Sequence, residues 1–92
     1  MIKSFAHKGL EDLFYKGSTK GVQTQHADKL RRLLDRLDVA SVVQDMEYPG
    51  SGLHQLKGDL KHHWSVKVSG NWRVTFRFED GDAYIVNYQD YH

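Results

Sequence analysis

Ninety-two residues, 39% hydrophobic and 27% charged, fit one small soluble globular domain spanning 1–92. The formal charge of +1 says nothing for or against nucleic acid, so only the placement of charge can. The chain has no cysteine, which excludes a disulfide framework and a thiolate zinc site, and no apolar run approaches the ~20 residues that would cross a membrane.

The N-terminal stretch MIKSFAHKGLEDLF carries Glu11 and Asp12 and lacks an apolar segment, so it does not read as a secretory signal, and a cytoplasmic location is expected. Ile2 to Phe5 reads as a short strand. From His7 to Lys16, Leu10, Leu13 and Phe14 fall at helical spacing, and Gly17 stands where a helix end favours a left-handed residue. Thr24 to Leu37 is the clearest helix. Ala27, Leu30, Leu34 and Leu37 form its apolar stripe with Leu33 beside them, and Lys29, Arg31, Arg32, Asp35 and Arg36 cover the other side. Two amphipathic helices in succession predict a helical hairpin laid on a sheet. Asp38 to Gln44 has room for one further turn, and Tyr48-Pro49-Gly50-Ser51-Gly52 is a loop. Leu53 to Lys57 is extended, and Gly58 to His63 reads as a loop.

The last third of the chain alternates. Trp64, Val66 and Val68 share one face, as do Trp72, Val74, Phe76 and Phe78, with Arg73, Thr75, Arg77 and Glu79 between them. A three-residue loop, Ser69-Gly70-Asn71, sets Val68 opposite Trp72, Val66 opposite Val74 and Trp64 opposite Phe76. Asp80-Gly81 is a strong hairpin signal. A two-residue turn there sets Phe78 opposite Ala83, Phe76 opposite Ile85 and Arg73 opposite Tyr88, with the final strand ending at Tyr88. The predicted class is α+β: a short N-terminal strand, a helical hairpin, then an antiparallel meander. The helical leucines and the Trp64, Val66, Trp72, Val74, Phe76 and Ile85 face supply its core.

The opposite face of the meander carries the chemistry. Lys67 lies across from Arg73, and Arg77 stands further along the same strand. Like charges placed opposite each other are unfavourable unless something compensates. Long cations splayed into water are one reading, and a phosphate site on RNA or DNA is the other. Tyr84 and Tyr88, on the same face in this register, favour phosphates plus stacked bases. His54 and Lys57 lie on the segment entering the sheet, and Asp90, Tyr91 and His92 lie just beyond the last strand. Carboxylate, imidazole, lysine and arginine are the parts needed to remove a 2′-hydroxyl proton, stabilise a scissile phosphate and protonate a leaving oxygen. By spacing alone this signal is weak, since a lone C-terminal histidine is more often an exposed, frayed residue. His62-His63 has no third ligand at metal spacing, so no metal is expected.

These residues are similar to the HigB-type toxins of the RelE/ParE superfamily. The resemblance runs from IKSF at Ile2 to Phe5 and LFYKG at Leu13 to Gly17 through LHQLKGD at Leu53 to Asp59, NWRVTF at Asn71 to Phe76 and GDAYIVNYQDYH at Gly81 to His92. It implies an enzyme that cuts messenger RNA in the ribosomal A site without metal or cofactor and leaves a 2′,3′-cyclic phosphate. It also implies a HigA-like helix-turn-helix antitoxin, through which alone operator DNA is bound. Family roles fall on Lys57, Arg73, Asp90, Tyr91 and His92, with His54 nearby. The expected roles are Asp90 or His54 as base, His92 as acid, Arg73 and Lys57 on the phosphate, and Tyr91 stacked on a base. Lys67, Arg77, Tyr84 and Tyr88 would bind RNA, and the basic helix would touch ribosomal RNA. Alternatives are a gyrase poison of the same fold, an inhibitor of ribosome assembly, and a partner that only co-regulates with its antitoxin. The LHQLK and DYH elements argue against the gyrase reading.

Overall fold

The structure is a computed structural model that describes residues 1–58 and 62–91. Helix α1 spans Lys8–Lys16. Its first turn is closed by His7, whose Nδ1 accepts the Leu10 N–H at 3.1 Å. Its last turn is closed by Gly17, at φ 71°, whose N–H reaches the Leu13 carbonyl at 3.0 Å. Helix α2 spans Ala27–Val39 and is preceded by a 3-10 turn over Thr24–His26. The expected single helix from Thr24 therefore begins with a tighter turn, and His26 is buried in it. The further turn expected after Asp38 is a 3-10 turn at Val43–Met46. Asp45 Oδ2 holds it by accepting the Ser41 and Val42 N–H groups at 2.9 and 3.3 Å. Between the helices, a Cβ on Gly9 would overlap the backbone of Gly21, so the chain passes α1 at a distance only glycine allows.

Four strands, β1 (His54–Gln55), β2 (His63–Ser69), β3 (Trp72–Glu79) and β4 (Asp82–Asp90), form one antiparallel sheet in chain order. Ile2 to Phe5 is not a full strand. It runs parallel to the outer edge of β4, bridging Ile2 to Ala83 and Phe5 to Val86. Lys3 donates to the Ala83 carbonyl at 2.7 Å and Ala6 to the Val86 carbonyl at 2.9 Å. Asp38, at the end of α2, accepts the Ile2 N–H at 2.9 Å and ties this segment to the helix.

Both hairpins contain a bulge. In the first, Trp64 faces Phe76, Val66 faces Val74 and Lys67 faces Arg73, as the alternation predicts. Ser69, not Val68, pairs with Trp72. The turn is therefore the two residues Gly70-Asn71, and the extra residue at Val68 restores the faces that such a turn would otherwise mix. In the second, Phe78 faces Ala83 as expected, but the register shifts at Phe76. Val74 then faces Tyr88, and Arg73 faces Gln89 rather than Tyr88. The extra residue is Ile85, at φ 48° and exposed, so Val86 takes the core place expected of Ile85. A β-branched residue in left-handed backbone is strained by about 1–3 kcal/mol. β4 also continues to Asp90, two residues past the expected end at Tyr88.

The core lies between the helices and one face of the sheet. Leu10, Leu30, Leu34 and Leu37 are fully buried against Val66, Val74, Phe76 and Val86. Each such leucine stabilises the fold by about 1.5–3 kcal/mol through burial alone. Tyr88 is buried at the end of this core. It stacks on Trp72 with ring centroids 4.5 Å apart, and its hydroxyl lies 2.5 Å from His26 Nδ1. The His7 ring meets its edge at 5.5 Å.

Burial holds the His7 imidazole below its ordinary value of 6.5. Its cap also needs the ring neutral, because a protonated Nδ1 cannot accept from Leu10. The unfolded chain therefore takes up this proton at a higher pH than the folded chain. The stabilisation is complete above about 6.5 and is lost as pH falls through that value toward the lower folded one. Denaturant titrations on either side of this value should show the wild type losing more stability on acidification than His7→Asn, which keeps a capping oxygen and removes the titration.

Candidate functional site

The second face of the sheet is where the expected chemistry gathers. β3 contributes Arg73, Thr75 and Arg77, which face Gln89, Asn87 and Tyr84 of β4. On the other side, Arg73 faces Lys67 and Thr75 faces Ser65. Ser65 in turn faces His54 of β1. Alternation thus delivers His54, Ser65, Lys67 and Arg73 to one face from three strands.

Arg73 is the best-anchored cation of this set. Its guanidinium donates to the Ser65 hydroxyl at 3.2 Å and to the Gly52 carbonyl at 3.5 Å. Both acceptors are neutral, and Arg73 makes no ion pair among the described residues. The group is oriented while its charge stays available. Arg73, His54, Ser65, Leu56 and Tyr91 line one open depression of about 220 Å³. The Tyr91 backbone is fixed there by its N–H, which donates to the Asn71 carbonyl at 2.8 Å. An anchored cation, an imidazole and an exposed phenol ring around one opening can receive a phosphate with a base beside it.

The other expected residues are placed as follows. Lys57 is exposed, one residue beyond Leu56, whose N–H pairs with the His63 carbonyl at 2.9 Å. Lys67 is exposed opposite Arg73. Arg77 is not a free cation: it pairs with Glu79 at 3.2 Å and lies over the Tyr84 ring at 4.6 Å. Asp90 ends β4 opposite Trp72, so the pleat sets it on the other side of the strand from Gln89, the partner of Arg73. His92 lies outside the described residues. Tyr88 is corrected from an RNA-facing residue to a core residue, because the bulge at Ile85 reverses the parity of the strand beyond it. Tyr84, before the bulge, keeps the outer face.

Sequence reasoning passed over Ser65, the hydroxyl that aims Arg73. The signal was its place between Trp64 and Val66, where the alternation puts it on the face of Lys67 and Arg73. A second cationic surface lies on α2, where Lys29, Arg32 and Arg36 surround Tyr48. Arg36 lies over the Tyr48 ring at 4.9 Å and donates to the Asp45 carbonyl at 2.8 Å.

Two helices on one face of a four-stranded antiparallel sheet, with cations on its other face, define an α+β domain of RelE-like architecture. The family model for HigB-like toxins, described as the RelE-like toxin of the type II toxin–antitoxin system HigB, matches residues 3–92, and the chain belongs to that family. It is 50% identical over 92 residues to Endoribonuclease HigB of Proteus vulgaris, with 100% of both chains covered. It is 32% identical, over a 95-residue alignment, to Toxin HigB-1 of Vibrio cholerae serotype O1, covering 100% of this chain and 98% of the relative. Among the described residues no helix is long and apolar enough to cross a membrane.

Proposed function

We propose that this toxin is a ribosome-dependent endoribonuclease that cuts messenger RNA in the A site and is neutralised by a HigA-type helix-turn-helix antitoxin. The observation that carries the reading is the Arg73 guanidinium, held by two neutral oxygens in the depression it shares with His54 and Tyr91. The name of the Proteus vulgaris relative supports the same activity.

In this mechanism His54 takes the proton from a 2′-hydroxyl. His54 is preferred over Asp90 because it shares the depression with Arg73. The 2′-oxygen attacks the adjacent phosphorus, and Arg73 and Lys57 stabilise the charge that grows on the phosphoryl oxygens. The bond to the 5′-oxygen breaks as His92 protonates it. The products are a 2′,3′-cyclic phosphate and a 5′-hydroxyl. The chain's own groups supply every proton transfer and the charge stabilisation, so no metal enters. Tyr91 stacks on a base and orients it. Lys67, Arg77 and Tyr84 carry the flanking RNA, and Lys29, Arg32 and Arg36 face ribosomal RNA. Operator DNA is reached only through the antitoxin, and the site of action is the cytoplasm.

Expression from a tightly controlled promoter, with mapping of new RNA 5′ ends, tests the reading. Codon-phased cuts that disappear when translation is blocked are the expected result. Supercoiling defects with intact messages would assign the toxicity to gyrase instead. Growth arrest that persists unchanged in Lys57→Ala would remove that lysine from the site.

A further inference from the structure

The depression around Arg73 continues past Leu56 and Tyr91, which line it on one side and a second hollow on the other. Thr75, Asn87, Gln89 and Ile85 are also among the residues lining this second hollow. None of them takes part in proton transfer or charge stabilisation.

The polar groups that β3 and β4 present here are two neutral amides and a hydroxyl, and the His63 imidazole of β2 also lines the hollow. Gln89 Nε2 donates to Thr75 Oγ1 at 3.2 Å, which fixes the amide in one orientation. Asn87 Oδ1 accepts the Tyr88 N–H at 2.9 Å, and its amide nitrogen has no protein acceptor among the described residues. The Asn87 donor is thus oriented and unused. Ile85 supplies an aliphatic wall, 46% exposed. Its strained backbone, at φ 48°, is held by Ser4, whose hydroxyl accepts the Ile85 N–H at 2.8 Å and whose carbonyl accepts the Val86 N–H at 3.1 Å. The same bulge turns Asn87 and Gln89 to the face of Arg73. Strain held in place by a second segment, beside a site, is a reason to look for a role there.

Fixed amide edges with an aliphatic wall and a phenol ring do not suit a phosphate. They suit a base, whose edge carries donors and acceptors and whose ring face is apolar. Arg73, near one end of the hollow along β3, would take the phosphate on that side. We infer that this hollow is a base-reading subsite for the nucleotide next to the scissile linkage, with the Asn87 amide nitrogen as the reading donor and Ile85 as the wall. The inference rests on the endoribonuclease reading above.

The test is the distribution of cuts in ribosome-bound messages that differ only in the bases around one cleavage site. Asn87→Asp keeps the oxygen that accepts from Tyr88 and replaces the donor by an acceptor. Ile85→Asn removes the wall with a residue that tolerates left-handed backbone. In each, the ratio of favoured to disfavoured cut sites should fall about tenfold. An unchanged ratio in both variants, whatever their total rate, would overturn the subsite. A melting curve on each variant shows that the fold is retained. A wild-type chain that leaves every message intact would instead overturn the nuclease reading, and the subsite with it.

Discussion

Arg73→Ala is expected to slow cleavage of ribosome-bound messenger RNA by about 10²–10³-fold, the usual effect of removing one preorganised group that faces developing charge. Among the described residues the guanidinium makes two hydrogen bonds to neutral oxygens, at 3.2 and 3.5 Å, so without it unfolding should become easier by only about 1 kcal/mol. The contrast between a large loss of rate and a small loss of stability distinguishes a functional cation from a structural one. Arg73→Lys keeps the charge but not the planar fork that reaches Ser65 and Gly52 together, so it should recover only part of the rate. Purified toxin, programmed ribosomes and primer extension give the rates, and a denaturant titration gives the stability. Near wild-type cleavage by Arg73→Ala would remove the central cation from the mechanism.

Tyr88→Ala should show the opposite pattern. Its ring is 4% exposed, stacks on Trp72 and meets His7 and His26 edge-on. Truncating a buried aromatic of this size costs about 3–5 kcal/mol, a large share of the 5–15 kcal/mol typical of a whole domain. It also strips the buried His26 of the phenol hydroxyl beside its Nδ1. Tyr84→Ala, four positions earlier on the outer face, should leave stability nearly unchanged, since that half-buried ring lies outside the core and stacks with a partly exposed Arg77. Equal stability losses for the two tyrosines would contradict the shifted register of β4.

That register marks how far the sequence could be read. The two helices, the β2–β3 pairing of Lys67 with Arg73 and the Asp80-Gly81 turn follow from local periodicity and turn chemistry. Arg73 and Lys67 were legible as members of one face for the same reason, whereas His54 was legible only as part of the segment entering the sheet. Strict alternation from a two-residue turn fails at Ile85, because one added residue reverses every side chain after it. The sign was present. Ala83 must face the core opposite Phe78, yet Val86 and Tyr88 are the apolar members of the Val86 to Gln89 stretch. Positions 83 and 86 have opposite parity, so one residue between them had to leave the ladder. The anchoring of Arg73 by Ser65 and Gly52 was not legible, since it depends on how the loop before β1 lies across the sheet.

The Ser4 contacts of the Ile85 bulge join residues 81 positions apart in the chain. A nascent chain emerges from its first residue, so the edge that Ile2 to Ala6 will cover does not exist until β4 has been translated. Until then the helices have half a floor, and Arg73 has neither Gln89 nor Tyr91 beside it. Contacts of such long range form late. The face that carries Arg73 is therefore completed only when β4 has paired, among the last steps by which this fold closes.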